Sequence, residues 1–350
     1  MTDNTDPTPT RRALLKATAG AGAVGLGSTA GCVNVITPVD RAEQTAVQGN
    51  VGYLVGAPWL ADNRDDVIVL DARDKSRFRA ERIYGARHVP LDQVTPQHRT
   101  ERGLAPDTDT IATGFADRGL DPTDDVVVYG ASVGSRVTRV VFALEAVGHR
   151  GEIHVLNGGL EPWTGRVGTG PAGSTTSTVY EPRPNEELWC TRGWLAEHVG
   201  SFNADGPGLV DCRTPEAYLG ATGSAELNPE NDRHGHLPGA LNVHWVGNVA
   251  GRQLTAPGDI VQMYEGEGEL DPDEPTVVYG DGNVNPTSTW LTLRAVGFED
   301  VRLYDGSFPE WANVDTDRGR HPVETATNVV VETNGELGGE DSSGDFSCTG

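Results

Sequence analysis

The chain has 350 residues and a mass of 37.2 kDa, too long for one small core and comfortable for two domains. Its 51 acidic residues outweigh 27 lysines and arginines, leaving a formal charge of −24 and making the chain a poor candidate for binding nucleic acid. Four cysteines in this length exclude a disulfide scaffold, and 37% apolar residues exclude wholesale disorder.

Thr10-Arg11-Arg12-Ala13-Leu14-Leu15-Lys16 opens the chain, before an apolar Gly/Ala-rich run over 17–27 and the small residues that precede Cys32. Charged start, apolar middle and small-residue end are the three parts of an export signal. The arginine pair resembles the address read by the twin-arginine translocase, and Ala30-Gly31-Cys32 resembles a lipobox. These resemblances imply removal of residues 1–31 and a lipid on Cys32. The protein is then exported and anchored to the outer face of the cytoplasmic membrane. Residues 32–59 read as a tether.

Beyond the tether, short β-branched runs alternate with helical patterns. Val67-Ile68-Val69-Leu70, Val126-Val127-Val128-Tyr129 and Ile153-His154-Val155-Leu156 are unalternated, as in strands buried on both faces of a parallel sheet. Val137, Val140, Val141, Leu144 and Val147 mark one face of a helix that Gly148 ends. The same order then returns. Leu209-Val210-Asp211-Cys212-Arg213 repeats Val69-Leu70-Asp71-Ala72-Arg73; Thr276-Val277-Val278-Tyr279-Gly280 repeats Val126-Val127-Val128-Tyr129-Gly130; Asp305-Gly306-Ser307-Phe308-Pro309-Glu310-Trp311 answers Asn157-Gly158-Gly159-Leu160-Glu161-Pro162-Trp163. Three matches in one order mean a tandem duplication. Residues 60–165 and 188–325 are the two copies, 166–187 a Gly/Ser/Thr/Pro-rich linker, and 326–350 an acidic tail.

The segment Gly235-His236-Leu237-Pro238-Gly239-Ala240, the strand end Asp211-Cys212-Arg213 and Asp305-Gly306-Ser307-Phe308-Pro309-Glu310-Trp311 resemble motifs of rhodaneses. The first half carries weaker versions around Asp71-Ala72-Arg73 and Tyr84-Gly85-Ala86-Arg87-His88-Val89-Pro90. The resemblance implies an α/β fold of two tandem rhodanese-like domains, each a mostly parallel sheet flanked by helices, as in thiosulfate and 3-mercaptopyruvate sulfurtransferases. In that family a cysteine directly after the central strand of the second domain carries sulfur as a persulfide, which needs a thiolate and a loop of converging N–H groups. The loop here is Gly280-Asp281-Gly282-Asn283-Val284-Asn285-Pro286-Thr287, before a helix expected over 288–296, and Gly280 takes the place of the cysteine.

Gly130 holds the corresponding place in the first loop, which contains Ser132, Ser135 and Arg136 and is the better of the two for an anion. Asp281 sets a carboxylate where an anionic donor would sit. Cys212 is the nearest stand-in nucleophile; its bland reading is a small core residue. Cys190 reads as packing, and Cys348 sits in the tail. His234, His236 and His244 with Asp232 fix no metal geometry, so neither metal nor cofactor is expected.

Three functions stay open: a silent module binding a small sulfur-containing anion or an unidentified protein partner, a sulfurtransferase working through Cys212, and a structural envelope lipoprotein. The excess of carboxylate with only two lysines, Lys16 and Lys75, resembles proteins adapted to molar salt, where screening shrinks to about 3 Å. The melting temperature should therefore rise steeply between about 0.1 M and 3 M salt, as the Debye length contracts several-fold. Equal melting at both, followed by circular dichroism, would show that repulsion among carboxylates does not limit this fold.

Overall fold

The computed structural model describes residues 53–325 except 174, 221–227, 269 and 316. The export signal, Cys32, Cys348 and the acidic tail lie outside the described residues. Two five-stranded parallel sheets form the framework. The first contains β1 (Leu54–Val55), β2 (Ile68–Asp71), β3 (Arg87–His88), β4 (Val126–Tyr129) and β5 (Ile153–Leu156), in the order β1-β5-β4-β2-β3. The second contains β6 (Trp189–Cys190), β7 (Gly208–Asp211), β8 (Leu241–Asn242), β9 (Thr276–Tyr279) and β10 (Val301–Tyr304), in the order β6-β10-β9-β7-β8.

The duplication is thus a duplication of topology, and it extends to register. Asp71 lies opposite Tyr129 and Asp211 opposite Tyr279, and all four residues of β4 and of β9 are buried. Such strands can be apolar throughout because helices cover both faces. Three helices matter below: α1 (Lys75–Ala80), α2 (Ser135–Ala146) and α3 (Pro286–Ala295). The last starts two residues before the sequence pattern suggests, since Pro286 fits a first turn whose N–H groups have no intrahelical acceptor. Gly148, at φ 72°, ends α2 in the left-handed region that glycine adopts freely.

The folded region of the first copy is wider than the pattern shows. The residues 53–59, expected as tether, supply Tyr53 and β1, which pairs in parallel with β5. The linker is also packed: Val167–Gly168 pairs antiparallel with Arg82–Ile83, and Tyr180 is buried beside Phe115. Hydrogen bonding of short stretches to a formed edge leaves no periodic trace in sequence.

The two copies share a core. Leu70, Val128, Val140 and Leu144 belong to the same apolar cluster as Val210, Val278, Leu291 and Leu293. At its centre α2 packs on α3, with the Thr138 and Thr287 hydroxyls 2.8 Å apart and Phe142 edge-on to Trp290. Arg139 of α2, fully buried, crosses the junction. Its Nη1 donates to Asp305 Oδ1 and to the Asn283 carbonyl, both at 2.9 Å, and its Nε to the Val94 carbonyl at 2.7 Å. Gln97 of the first copy adds a 2.6 Å bond to Asp305 Oδ2.

Removing one side of a buried pair leaves an uncompensated charge, at a cost of about 3–5 kcal/mol. Asp305 would keep donors from Gln97 and Asn283, whereas Arg139 already has one buried nitrogen, Nη2, without a partner. Chemical denaturation should accordingly show Asp305→Ala more destabilised than Arg139→Ala. The reverse order would mean that the guanidinium, not the carboxylate, is the group the junction tolerates alone.

Candidate functional site

At the C-terminal end of each sheet the chain builds one constellation twice. Arg73 Nε and Nη2 fork onto Asp71 at 3.0 and 2.6 Å; Arg213 does the same on Asp211 at 3.0 and 2.6 Å. Nη2 also donates to a carbonyl at 2.6 Å in each, that of Glu81 or of Gly235. The tyrosine ending each central strand closes the group: the Tyr129 hydroxyl accepts from Ile83 N–H, and the Tyr279 hydroxyl from Leu237 N–H. Even the next strand follows the pattern, with His88 Nε2 and Asn242 Nδ2 each 2.9 Å from the carbonyl of the forked arginine. These residues are buried and mutually satisfied, so the Asp-x-Arg sequence is a structural clamp.

The clamp sets the direction of the two loops that follow β4 and β9. In the second, Gly280 follows β9 directly, and its carbonyl accepts from Phe308 N–H at 2.9 Å. Ser307, at φ 54°, turns its hydroxyl into the loop and donates to the Gly282 carbonyl at 2.9 Å. Asn283 is buried against the junction, while Asp281 and Gly282 are exposed and Val284 and Asn285 half-buried. Asp281 lies 3.9 Å from Arg213, which Asp211 already holds. Although 40% of its side chain is open to water, desolvation by the packed loop around it raises the Asp281 carboxyl above its ordinary value, and Arg213 only partly opposes this. A Cβ built on Gly280 would stand 2.9 Å from Cγ of Pro286, inside contact distance of a rigid ring.

In the first loop a Cβ on Gly130 would stand 2.6 Å from Val137 Cγ2. Its surroundings are otherwise different. Ser132, Ser135 and Arg136 line a cavity of about 390 Å3, together with Arg77 of α1 and, from the second copy, Trp245 and Val246. Val133 N–H donates to the Arg252 carbonyl at 3.0 Å and so fixes the loop across the junction. Arg136 is exposed and makes no ion pair among the described residues. Arg77 meets Asp74, whose carboxyl is lowered to about 2 by the Ser76 hydroxyl and the Arg77 N–H. Three arginines, of which Arg73 is already forked onto Asp71, and a helix N-terminus thus line a concave space with Asp74 as its one carboxylate. That combination suits a small anion.

The structure separates the sequence-predicted residues into two groups, one per loop. Cys212 belongs to neither. It is 1% exposed, its thiol donates to Thr289 Oγ1 at 3.3 Å, and burial raises its pKa far above that of a free thiol. Cys190 is likewise buried with a raised pKa. His236 stacks on Tyr218, and no group of three His, Cys, Asp or Glu side chains among the described residues is placed to hold a metal. Sequence reasoning missed Arg77 and Trp245, which reach the first loop from other elements and carry no local motif.

The Rhodanese-like domain family model matches residues 57–166 and 191–314. A thiosulfate sulfurtransferase of Pseudomonas aeruginosa is 27% identical over 266 residues, 74% of this chain and 90% of that protein. A thiosulfate sulfurtransferase of Corynebacterium glutamicum is 31% identical over 61% of this chain and 70% of its own length. In fold, a 3-mercaptopyruvate sulfotransferase of Escherichia coli superposes with a TM-score of 0.61 at 24% identity, covering 73% of this chain and 98% of that one. The two matched segments together span well over half of the sequence, and the chain therefore belongs to the rhodanese family, of which it carries two domains in tandem.

Proposed function

We propose that this rhodanese-like protein has given up persulfide chemistry and binds a small sulfur oxyanion at the loop of its first domain. The cavity beside Arg136 carries this reading. Its volume of about 390 Å3 falls within the range of small-ligand pockets, and Arg136 presents an uncommitted guanidinium to it. Thiosulfate is the donor named for the relatives, which sets the chemical class. The second loop supports the silent half of the proposal. Gly280 offers no nucleophile, Asp281 repels an anion, and Cys212 is buried as a neutral thiol. The basic start and small-residue end of the signal support an exported protein with lipid on Cys32.

Calorimetry with thiosulfate tests the site. Wild-type protein should bind, Arg136→Ala should bind about tenfold or more weakly for the loss of a charge-assisted bond, and Asp281→Ala should change little. Thiocyanate formation from thiosulfate and cyanide should stay at background. Turnover that Cys212→Ser abolishes would establish a displaced nucleophile and end the silent reading.

A single sulfur graft should also fail, for steric reasons. Gly280→Cys drives Cβ into Pro286, so the variant should melt lower and react slowly with a thiol reagent. Gly280→Cys/Pro286→Ala should recover stability and thiol reactivity, and adding Asp281→Gly should lower the thiol pKa. Full reactivity of Gly280→Cys alone would show that the loop has room for the side chain.

A further inference from the structure

The first domain has a second, larger concavity, an open groove of about 1290 Å3 between α1, the strand Arg82–Ile83 and the linker, sharing no lining residue with the loop cavity. Six of the chain's 27 lysines and arginines line it: Lys75, Arg79, Arg82, Arg87, Arg118 and Arg166. Asp117 is the one acidic residue among them. In a protein with nearly twice as many acids as bases, this is a reversal of sign.

Among the described residues none of the six forms an ion pair, whereas Arg73, Arg139, Arg213, Arg294 and Arg302 each meet one. Arg82 donates to the carbonyls of Phe78, Gly170 and Pro171, Arg87 to that of Gly119, and Arg118 to those of His88 and Gly114. Carbonyls satisfy the N–H groups, while the nearest carboxylates, Asp121 and Asp124 for Arg87 and Asp92 and Asp117 for Arg118, only partly oppose the cost of burial. Burial accordingly pulls the guanidinium pKa of Arg87 and Arg118 down. Lys75 and Arg79 stand one turn apart on α1, both exposed. The groove is also apolar in part. Tyr84, 47% exposed beneath the Arg166 guanidinium, and Val167, 42% exposed, are large side chains left open to water here.

We infer that this groove docks a short acidic polypeptide segment of a partner protein, with carboxylates on the cations and an apolar side chain against Tyr84 and Val167. Its volume exceeds that of a small-molecule pocket, about 300–1,000 Å3. Its concavity keeps a flat bilayer surface away from Arg82, and the acidic surroundings repel a polyanion long enough to extend beyond it. The linker already bends along one wall, where Arg82 holds the successive carbonyls of Gly170 and Pro171. Guanidinium groups take carboxylates bidentately, which gives such a segment both affinity and register.

Fluorescence anisotropy with a labelled short peptide of glutamates flanking one leucine, in the lowest salt at which circular dichroism shows the native fold, tests the assignment. Saturable binding is expected. Lys75→Glu/Arg79→Glu should weaken it by about tenfold or more, Lys75→Gln/Arg79→Gln by less, and Arg150→Glu, an exposed charge reversal elsewhere, by no more than about twofold. Absence of binding, or equal losses in the Arg150 and double variants, would overturn the groove as the site. Tighter binding of oligothymidylate or of anionic phospholipid vesicles, lost with the same double variant, would overturn the polypeptide as its ligand.

Discussion

The buried contact of Arg139 with Asp305 governs how the two halves differ. Taking both ions out of water costs several kcal/mol each, so their position is tolerated only where geometry and further hydrogen bonds offset desolvation. Here the carboxylate is held by Arg139, Gln97 and Asn283, and the guanidinium spans Val94, Asn283 and Asp305. The duplicated counterpart of Arg139 is Ser288, since Thr138 and Thr287 touch across the junction and each directly precedes one of them. Ser288 cannot reach across, and its buried hydroxyl has no partner. One loop is therefore bolted to the opposite domain by a charge, through the Asn283 carbonyl. The other is held by the bond from Val133 N–H to the Arg252 carbonyl and by longer bonds to the Ala131 and Ser135 carbonyls from Arg252 and Thr287, and it keeps a cavity beside it.

This asymmetry explains what could be read in advance. The framework was legible because buried parallel strands demand β-branched runs and because the Asp-x-Arg clamp recurs with its tyrosine at a fixed register. Arg139 was not. The valines of α2 predict one buried face with solvent opposite, yet Thr138, Arg139, Phe142 and Ala143 are buried too, because the second domain covers the other face. A helix packed between two domains looks amphipathic to one of them. Arg77 and Trp245 were hidden for a related reason: the cavity they line is assembled by the junction, and local spacing carries no record of it. The two-residue strand β1 and the packed linker gave no signal because edge pairing needs no periodicity.

The two loops also show how far a family signature reaches. The Asp-Gly-Ser stretch at 305–307 carries part of the family resemblance, and there Ser307 adopts the left-handed conformation that Gly159 takes in the first copy and donates its hydroxyl to the Gly282 carbonyl. Asp305 meanwhile ties the domains together. Both residues act on the shape of the loop, and neither supplies a reacting group. The glycines at 130 and 280 are fixed by their neighbours as well, since Val137 and Pro286 occupy the space a Cβ would need. Shape has thus been retained around positions that hold no sulfur.

Charge follows the same division. Many of the described arginines are committed to clamps, to the junction or to nearby carboxylates, as in the contact of Arg294 with Glu145. Several that form no ion pair among the described residues lie on the first domain, Arg136 beside the loop and Arg79 and Arg82 around the groove. Net charge therefore says little about local recognition in this protein. A total of −24 opposes any extended polyanion, and at molar salt it does so only over about 3 Å. Direct contact inside a concave, partly desolvated site is screened far less. On the reading proposed above, anions meet this chain in concave sites, and the first domain carries two such concavities lined by arginines.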